Sequence, residues 1–575
     1  MMTSYRTQHL GFLIAVVPIM LAVFLSTAQA MPPHPRLVNS PDPSVQRNLA
    51  LYRSLQRGAT GMAIDRPDPC LARAVGAAVT GSRRLLVILV RFSDHDSAVA
   101  ATYFDSLMFD HTAQTVWDYY DEVSYGTFSI DAVDLPSTIG WQLAPQTYAY
   151  YTYGSYGWGE YPHNAQKLVE DLLAQVDPVV NFANYDADGN GYVDGVVVVH
   201  SGTGAEKSAS TDDIWSHMWT ITPQVRDGKI IWSYSIQPEF WDAPGDMTIG
   251  VYCHELGHLL LNLPDLYDYD DDSRGLGLWS LMATGSWGGP TYGGNYPAHP
   301  DAWSRVQAGW VTPTVVAAAI NNCPIPAVKD SAKIFKLWTD GGPIGDEYYL
   351  VENRRKSGYD TYLPASGLCI YHVDEAVATG NDNQWYPGYT GDGHYLVALE
   401  QADGLWELEQ NVLYDYGDAA DPFPGSTTNR TFAAATTPSS NAYGGTPTYV
   451  VITDISNTAQ IMTADFQVTL GSGILAEDDG ASVSAFSVGP NYPNPFNPNT
   501  RIDYWLPASG PVTVDVFNLL GQKVRTLWSG RQDRGWHTVS WDGADAEGRA
   551  VPAGVFFSRV VGLDQIKTGK MVLVK

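Results

Sequence analysis

His254-Glu255-Leu256-Gly257-His258 sets two imidazoles four residues apart. On a helix that spacing puts them one turn apart on one face, where both can address a single ion. Glu255 is one position on, close enough to reach water at that ion but badly placed to ligate beside the histidines. Zinc hydrolysis needs this division: the metal acidifies a water and a carboxylate takes the proton. A catalytic tetrahedral zinc also wants a third protein ligand and one open position. Asp265 is the first candidate, with Asp268 and Asp270 behind it. A second motif, Asp186-Ala-Asp188-Gly-Asn190-Gly-Tyr192-Val-Asp194, has oxygen ligands at loop positions 1, 3, 5 and 9, a backbone carbonyl at 7 and Gly191 at the sharp turn. That order matches a calcium loop. Its twelfth-position carboxylate is missing, Val197 standing there, and Glu206 is the candidate to complete the shell.

The elements around these residues follow from spacing. Asp246 or Thr248 can cap a helix whose apolar stripe is Ile249, Cys253, Leu256 and Leu260. Asn262 tolerates the left-handed turn that ends a helix, and Pro264 prevents its resumption. Upstream, Arg84–Phe92 is a continuous apolar run of strand length, hence a central strand. His111–Val123 and Ala165–Val176 read as amphipathic helices, and 124–130, 193–200 and 230–236 as strands. This is an α/β layout. His217, alone in Ile214-Trp-Ser-His217, reads as structural.

Several stretches together resemble one family. They are His254-Glu-Leu-Gly-His258, the Leu-Pro-Asp-Leu-Tyr-Asp that follows, Leu278-Trp-Ser-Leu-Met-Ala-Thr-Gly-Ser-Trp287, and Ala302-Trp-Ser-Arg-Val-Gln-Ala-Gly-Trp310. The chain resembles the secreted immune-inhibitor-A-like metallopeptidases of the metzincin group. The resemblance implies a zinc endopeptidase acting on protein or peptide substrates. It makes His254, His258 and Asp265 the zinc ligands, Glu255 the general base and Met282 the methionine of the turn under the metal. It also makes 230–236 the strand that holds substrate backbone antiparallel. One departure stands out: Leu261 replaces the family's glycine, and one extra residue precedes Pro264. Asn262 offers the same turn one step later. The rival reading is a secreted binding protein whose zinc site decayed at this point.

The rest of the chain sets the context. Residues 1–30 read as a signal peptide, with Arg6 and His9 before an apolar run and Ala28-Gln-Ala30 as cleavage site. No later segment is apolar enough to span a bilayer, so none is expected in the mature chain. The net charge of −29 argues against nucleic acid or anionic membrane as partner and favours multivalent cations. Four cysteines in 575 residues are no disulfide scaffold, although Cys323 and Cys369 are candidates to pair. Residues 31–80 occupy the family's pro-segment position. Cys70 there reads as an ordinary thiol, the alternative being a zymogen switch on the zinc.

Residues 81–314 form the expected metzincin-like catalytic domain. Residues 315–470, with short alternating runs between Gly/Pro/Asp/Asn turns, read as a β-sandwich domain. His372, Asp374 and Glu375 there read as hydrogen-bonded strand-end residues, and Asp415, Asp418 and Asp421 as a candidate second calcium cluster. Residues 471–489 are a linker. Residues 490–575 read as a small immunoglobulin-like β sandwich. This stretch resembles the C-terminal sorting domain of type IX secretion cargo, which implies export and surface attachment through secretion machinery.

Overall fold

The computed structural model describes residues 29–60, 78–269, 271–338, 347–468 and 486–574, except 379, 392, 411, 413–414, 489–490, 492–495, 497, 507, 533–534 and 564. The signal sequence before Gln29, Cys70, Asp270 and most of the linker lie outside the described residues. The chain divides into two compact units. The first runs to Pro264, apart from 78–80 and 121–127, which belong with the second.

The first unit is built on one mixed sheet. Its strands are β1 (Gln29–Ala30), β2 (Gly81–Arg91), β3 (Phe128–Ala132), β4 (Gln142–Leu143), β5 (Gly195–His200), β6 (His217–Arg226) and β7 (Lys229–Pro238). The order is β1–β6–β7–β5–β2–β3, with β4 also on β2. β2 and β5 are parallel and central, and every residue from Leu85 to Val90 is buried. Strands covered on both faces read as unbroken apolar runs. Leu86, Ile88 and Val90 pack in one core with Leu168, Val169, Leu172, Leu173 and Val176 of the helix Ala165–Val176. The helix Gly250–Leu261, which carries His254, Glu255 and His258, meets the sheet where a Cβ on Gly195 would lie 2.9 Å from Leu85 and 3.2 Å from Leu259. Gly195 thus lets the helix approach closely.

One expectation is corrected by this topology. The strand at 230–236 is not an edge: β7 is paired antiparallel to β6 and parallel to β5, so its backbone is already used on both sides. Alternation along a strand reports which face is buried, not which neighbours it has. β6 lies outside β7, and Gln29–Ala30 pairs antiparallel with Met218 and His217 on its far side. The N-terminal segment also enters the core. Tyr52, on the helix Pro43–Thr60, stacks on Trp215 at 3.6 Å and 15°, and Trp215 Nε1 donates to the Met31 carbonyl at 2.8 Å. Ala30, Met31 and Tyr52 are buried.

The second unit is β-rich. One five-stranded sheet runs Val397–Leu399, Gly367–Asp374, Glu347–Arg354, Phe335–Leu337, Thr314–Val316, and a three-stranded one runs Val451–Thr453, Ile461–Gln467, Ile320–Pro326. C-terminal to them, a three-stranded sheet (Ser487–Val488, Thr500–Leu506, Gly535–Trp541) and a four-stranded one (Lys523–Gln532, Gly510–Asn518, Gly554–Gly562, Gln565–Leu573) share a core of Tyr504, Val514, Trp541, Phe556 and Met571. Cys323 and Cys369 are separate buried thiols, not a disulfide. No helix among the described residues is long and apolar enough to cross a membrane.

Candidate metal centre

The helix Gly250–Leu261 is wholly buried, and that explains how it holds a site. Its backbone is anchored from two sides: Tyr120 Oη donates to the Cys253 carbonyl at 2.7 Å, and Tyr252 Oη donates to the Pro238 carbonyl at 3.1 Å. Asp246, one of the two expected caps, is engaged elsewhere. Thr248 Oγ1 accepts from Trp241 Nε1, and the Asp246 carboxylate accepts from the backbone of residues 241–243. Asp246 therefore closes the preceding turn instead of the helix. At the other end Asn262 takes φ 56°, and the Leu263 N–H reaches back to the Gly257 carbonyl at 3.2 Å. That is the left-handed helix stop, with Asn where Gly is commoner.

The turn also orients a ligand. His258 Nδ1 lies 2.6 Å from the Leu263 carbonyl, so Nδ1 carries the proton and Nε2 keeps its lone pair. His258 Nε2 and His254 Nε2 are 3.1 Å apart, with the rings at 88°. Two Zn–N bonds of about 2.0–2.1 Å at a tetrahedral angle span roughly 3.3 Å, so the pair fits one zinc. Ligand-capable atoms of His254, His258 and Asp265 all lie within 4.8 Å of one another. Tyr269 Oη donates to Asp265 Oδ2 at 3.1 Å and aims that carboxylate. One residue on, the Leu266 N–H donates to the Met282 carbonyl at 2.7 Å, which ties Met282 to the segment that carries Asp265. Asp268 points elsewhere, accepting from Ser273 Oγ at 2.6 Å. Two imidazoles and one carboxylate suit zinc by donor chemistry.

The 186–194 loop is gathered as well. Oxygens of Asp186, Asp188 and Asp194 lie within 4.8 Å of one another. Asp186 Oδ1 is buried without a hydrogen-bond partner, while Oδ2 takes the Gly191 N–H and Lys229 Nζ. Asp194 Oδ2 accepts from the backbone N–H of Arg84 and Ala187, and burial pushes its carboxyl up to about 6. Arg83 lies 3.4 Å from Asp188. Asn190 Oδ1 accepts the Tyr192 N–H and so braces the loop. Glu206 is not part of this group: its buried carboxylate accepts from Ser216 N–H and Oγ. Asp415, Asp418 and Asp421 do not converge either. Asp415 and Asp418 each take a nearby backbone N–H, and Asp421 takes Trp279 Nε1 and the Asp418 N–H. His217 is structural, as expected: it lies between the Trp215 carbonyl and Tyr234 Oη, and burial lowers it to about 4. His372 bridges Glu347 and Glu400, and Asp374 pairs with His394.

Residues 98–311 match the family model for the immune inhibitor A peptidase M6 catalytic domain. This region of the chain is thus similar to the catalytic domain of the immune inhibitor A peptidases. Residues 499–564 match the FlgD Ig-like domain. The pre-pro-metalloprotease PrtV of Vibrio cholerae is 30% identical over 220 residues, 32% of this chain and 22% of PrtV. Immune inhibitor A of Bacillus thuringiensis is 31% identical over 216 residues, 31% of this chain and 30% of that protein. The chain thus spans under a third of the length of these relatives. Among solved structures, FlgD of P. aeruginosa covers 13% of this chain and 61% of its own at 24% identity, with a TM-score of 0.11.

The tyrosines that frame the centre, Tyr120, Tyr252 and Tyr269, escape a reading of spacing. Only Tyr269 leaves a trace, standing four residues after Asp265. Tyr120 lies far off in the chain and announces nothing.

Proposed function

We propose that this chain is a secreted zinc endopeptidase with His254, His258 and Asp265 as metal ligands and Glu255 as general base. The observation that carries the reading is the convergence of the His254 and His258 Nε2 atoms, on the buried helix that also carries Glu255, with the carboxylate of Asp265 just past its end. Zinc, when bound, would supply Lewis acidity, acidifying water and polarising a peptide carbonyl. Glu255 takes the proton from the attacking water and returns it to the leaving amine. The Leu263 carbonyl fixes the His258 tautomer, and Tyr269 steadies Asp265, so the ligand set is held before metal arrives. The peptidase match and the named relatives support this reading. Glu255→Gln should keep zinc at one equivalent and lower hydrolysis of a quenched protein substrate by at least about 100-fold. Parent-like turnover in that variant would remove Glu255 as base; no turnover by zinc-loaded parent would remove the reading.

The same proposal includes export by the 1–30 signal, whose cleavage after Ala30 would remove the strand Gln29–Ala30 from β6, residues 31–80 in the pro-segment position, and a C-terminal sorting role for 490–575, for which the Ig-like match is the support. It also includes structural calcium at Asp186, Asp188, Asn190, Tyr192 and Asp194. Buried Asp186 Oδ1 and the three converging carboxylates support a cation there. Added calcium should raise the melting temperature of the parent and leave that of Asp186→Asn unchanged; equal shifts would place the ion elsewhere.

A further inference from the structure

The β-sandwich domain contains a cavity of about 270 Å³ that the peptidase reading does not use. It opens beside the strand Val397–Leu399, among the loops around 385–387, 406–409 and 436–445. Its walls are Trp385, Trp406 and Tyr443, and its acidic groups are Glu400 and Glu409. The volume lies just below the usual range for small-molecule pockets, so a ligand the size of one side chain fits best.

The charge in this cavity is unbalanced. Glu409 is only 3% exposed, and the hydrogen bond to its carboxylate comes from neutral Gln401 Nε2 at 2.6 Å. Burial pushes its carboxyl well above the usual range. Among the described residues neither Glu409 nor Glu400 pairs with a Lys or Arg. Glu400 meets His372, 3.2 Å away, but His372 is shared with Glu347. One imidazole is therefore divided between two carboxylates, and Glu409 has only the neutral amide. A buried carboxylate without a cation is costly, and a ligand that brings one relieves the cost.

The aromatic groups match the same ligand. Tyr443 is stacked between His372 at 4.1 Å and His394 at 3.8 Å, which fixes its ring, and Trp385 meets it edge-on at 5.8 Å. Trp406 is held at φ 54°, a left-handed conformation that costs energy for a bulky residue and tends to mark ligand clamps. Indole faces, here those of Trp385 and Trp406, attract cations, and a planar guanidinium both stacks on them and pairs with carboxylates in a way a compact ammonium does not. We propose that this cavity receives a basic side chain, arginine above lysine, from a bound polypeptide. The proposal is independent of the zinc chemistry.

The test is calorimetric titration of the full chain with Nα-acetyl-L-arginine methylamide, beside the lysine analogue, the neutral citrulline analogue and methylguanidine. Saturable binding of the arginine probe is expected, with citrulline at least about tenfold weaker, because losing a hydrogen bond to a buried charge costs that much. Lysine should fall between. Methylguanidine should bind several-fold more weakly than blocked arginine, because it lacks the stem that covers the tryptophans. Glu409→Gln and Trp385→Ala should each weaken the arginine probe about tenfold. Trp385 is 37% exposed, so its variant keeps the fold even where Glu409→Gln does not, and melting curves report which has happened. Absence of saturable arginine binding, equal affinity for arginine and citrulline, or unchanged affinity in Trp385→Ala would overturn the proposal. Equal affinity for methylguanidine would overturn the polypeptide as its source.

Discussion

At the scale of single residues, the centre depends on where one carboxylate falls after a helix stop. His254, Glu255 and His258 are legible from spacing alone, because helical geometry dictates what residues one and four apart can do. The third ligand is not, since a turn of uncertain length intervenes. Leu261 stands where the resemblance leads one to expect glycine, and the structure answers with Asn262 at φ 56°. Asn supports that conformation at modest cost, so the turn moves one residue along and Asp265 still reaches the histidines. Asp268, three residues later, is already engaged with Ser273. Asp265→Ala should therefore lower zinc affinity by at least about tenfold, while Asp268→Ala leaves it within a few-fold. Zinc titration against a competing chelator measures both. The opposite ranking would mean that the added residue has moved the ligand after all.

At the scale of elements, the sheet of the first unit depends on the residues before it. Gln29–Ala30 extends β6, and Tyr52 fills a slot against Trp215. Taken from position alone, 31–80 is a removable pro-segment. In the structure its first thirty residues contribute buried side chains to the first unit. Tyr52→Ala deletes a stacked, fully buried aromatic, a change that costs about 3–5 kcal/mol. The melting temperature of the first unit should fall accordingly, and Leu51→Ala, on the exposed side of the same helix, should leave it nearly unchanged. A Tyr52 variant as stable as the parent would show that this segment is merely laid on the surface. The strands themselves were easier to foresee than their order. Leu85–Val90 declares a central strand because six consecutive apolar residues suit only a two-faced burial. The 230–236 strand declares its existence but not its neighbours, and a two-residue strand such as Gln29–Ala30 carries no periodicity at all. The helix at 250–261 was legible in extent at its C-terminal end, where Asn262 and Pro264 act locally. Its start was not, because Asp246 is drawn to the turn at 241–243.

At the scale of the whole molecule, the second unit is joined through a buried ionic cluster that no local pattern forecasts. Arg354 donates to Asp360 at 2.7 and 2.8 Å, to Glu352 at 3.1 Å and to the Trp279 carbonyl at 3.0 Å. Arg305 pairs with Glu352 at 2.6 Å and donates to His299 Nδ1, whose Nε2 side faces Glu122 at 2.7 Å. The His299 N–H closes the circuit on Asp360. Segments near 122, 279, 299–305 and 352–360 thus share one network inside the second unit. Such pairs contribute little over an apolar core but are costly to break singly, so Arg354→Met should destabilise by about 3–5 kcal/mol. The acid response follows from Asp360. Burial, the largest single effect, raises its carboxyl, but the charge and hydrogen bond of Arg354 together with His299 and Arg305 outweigh it and hold the group down at about 2, against an ordinary 3.8. A depressed carboxyl gives stability that is complete above the unfolded value and is lost as pH falls through the folded one. The melting temperature of the second unit should accordingly decline between pH 3.8 and about 2. Asp360→Asn should start lower at neutral pH and lose that part of the decline. Thermal scans of both chains by circular dichroism across this window decide the matter: parallel slopes would mean that Asp360 is not the group that acid protonates when the unit opens.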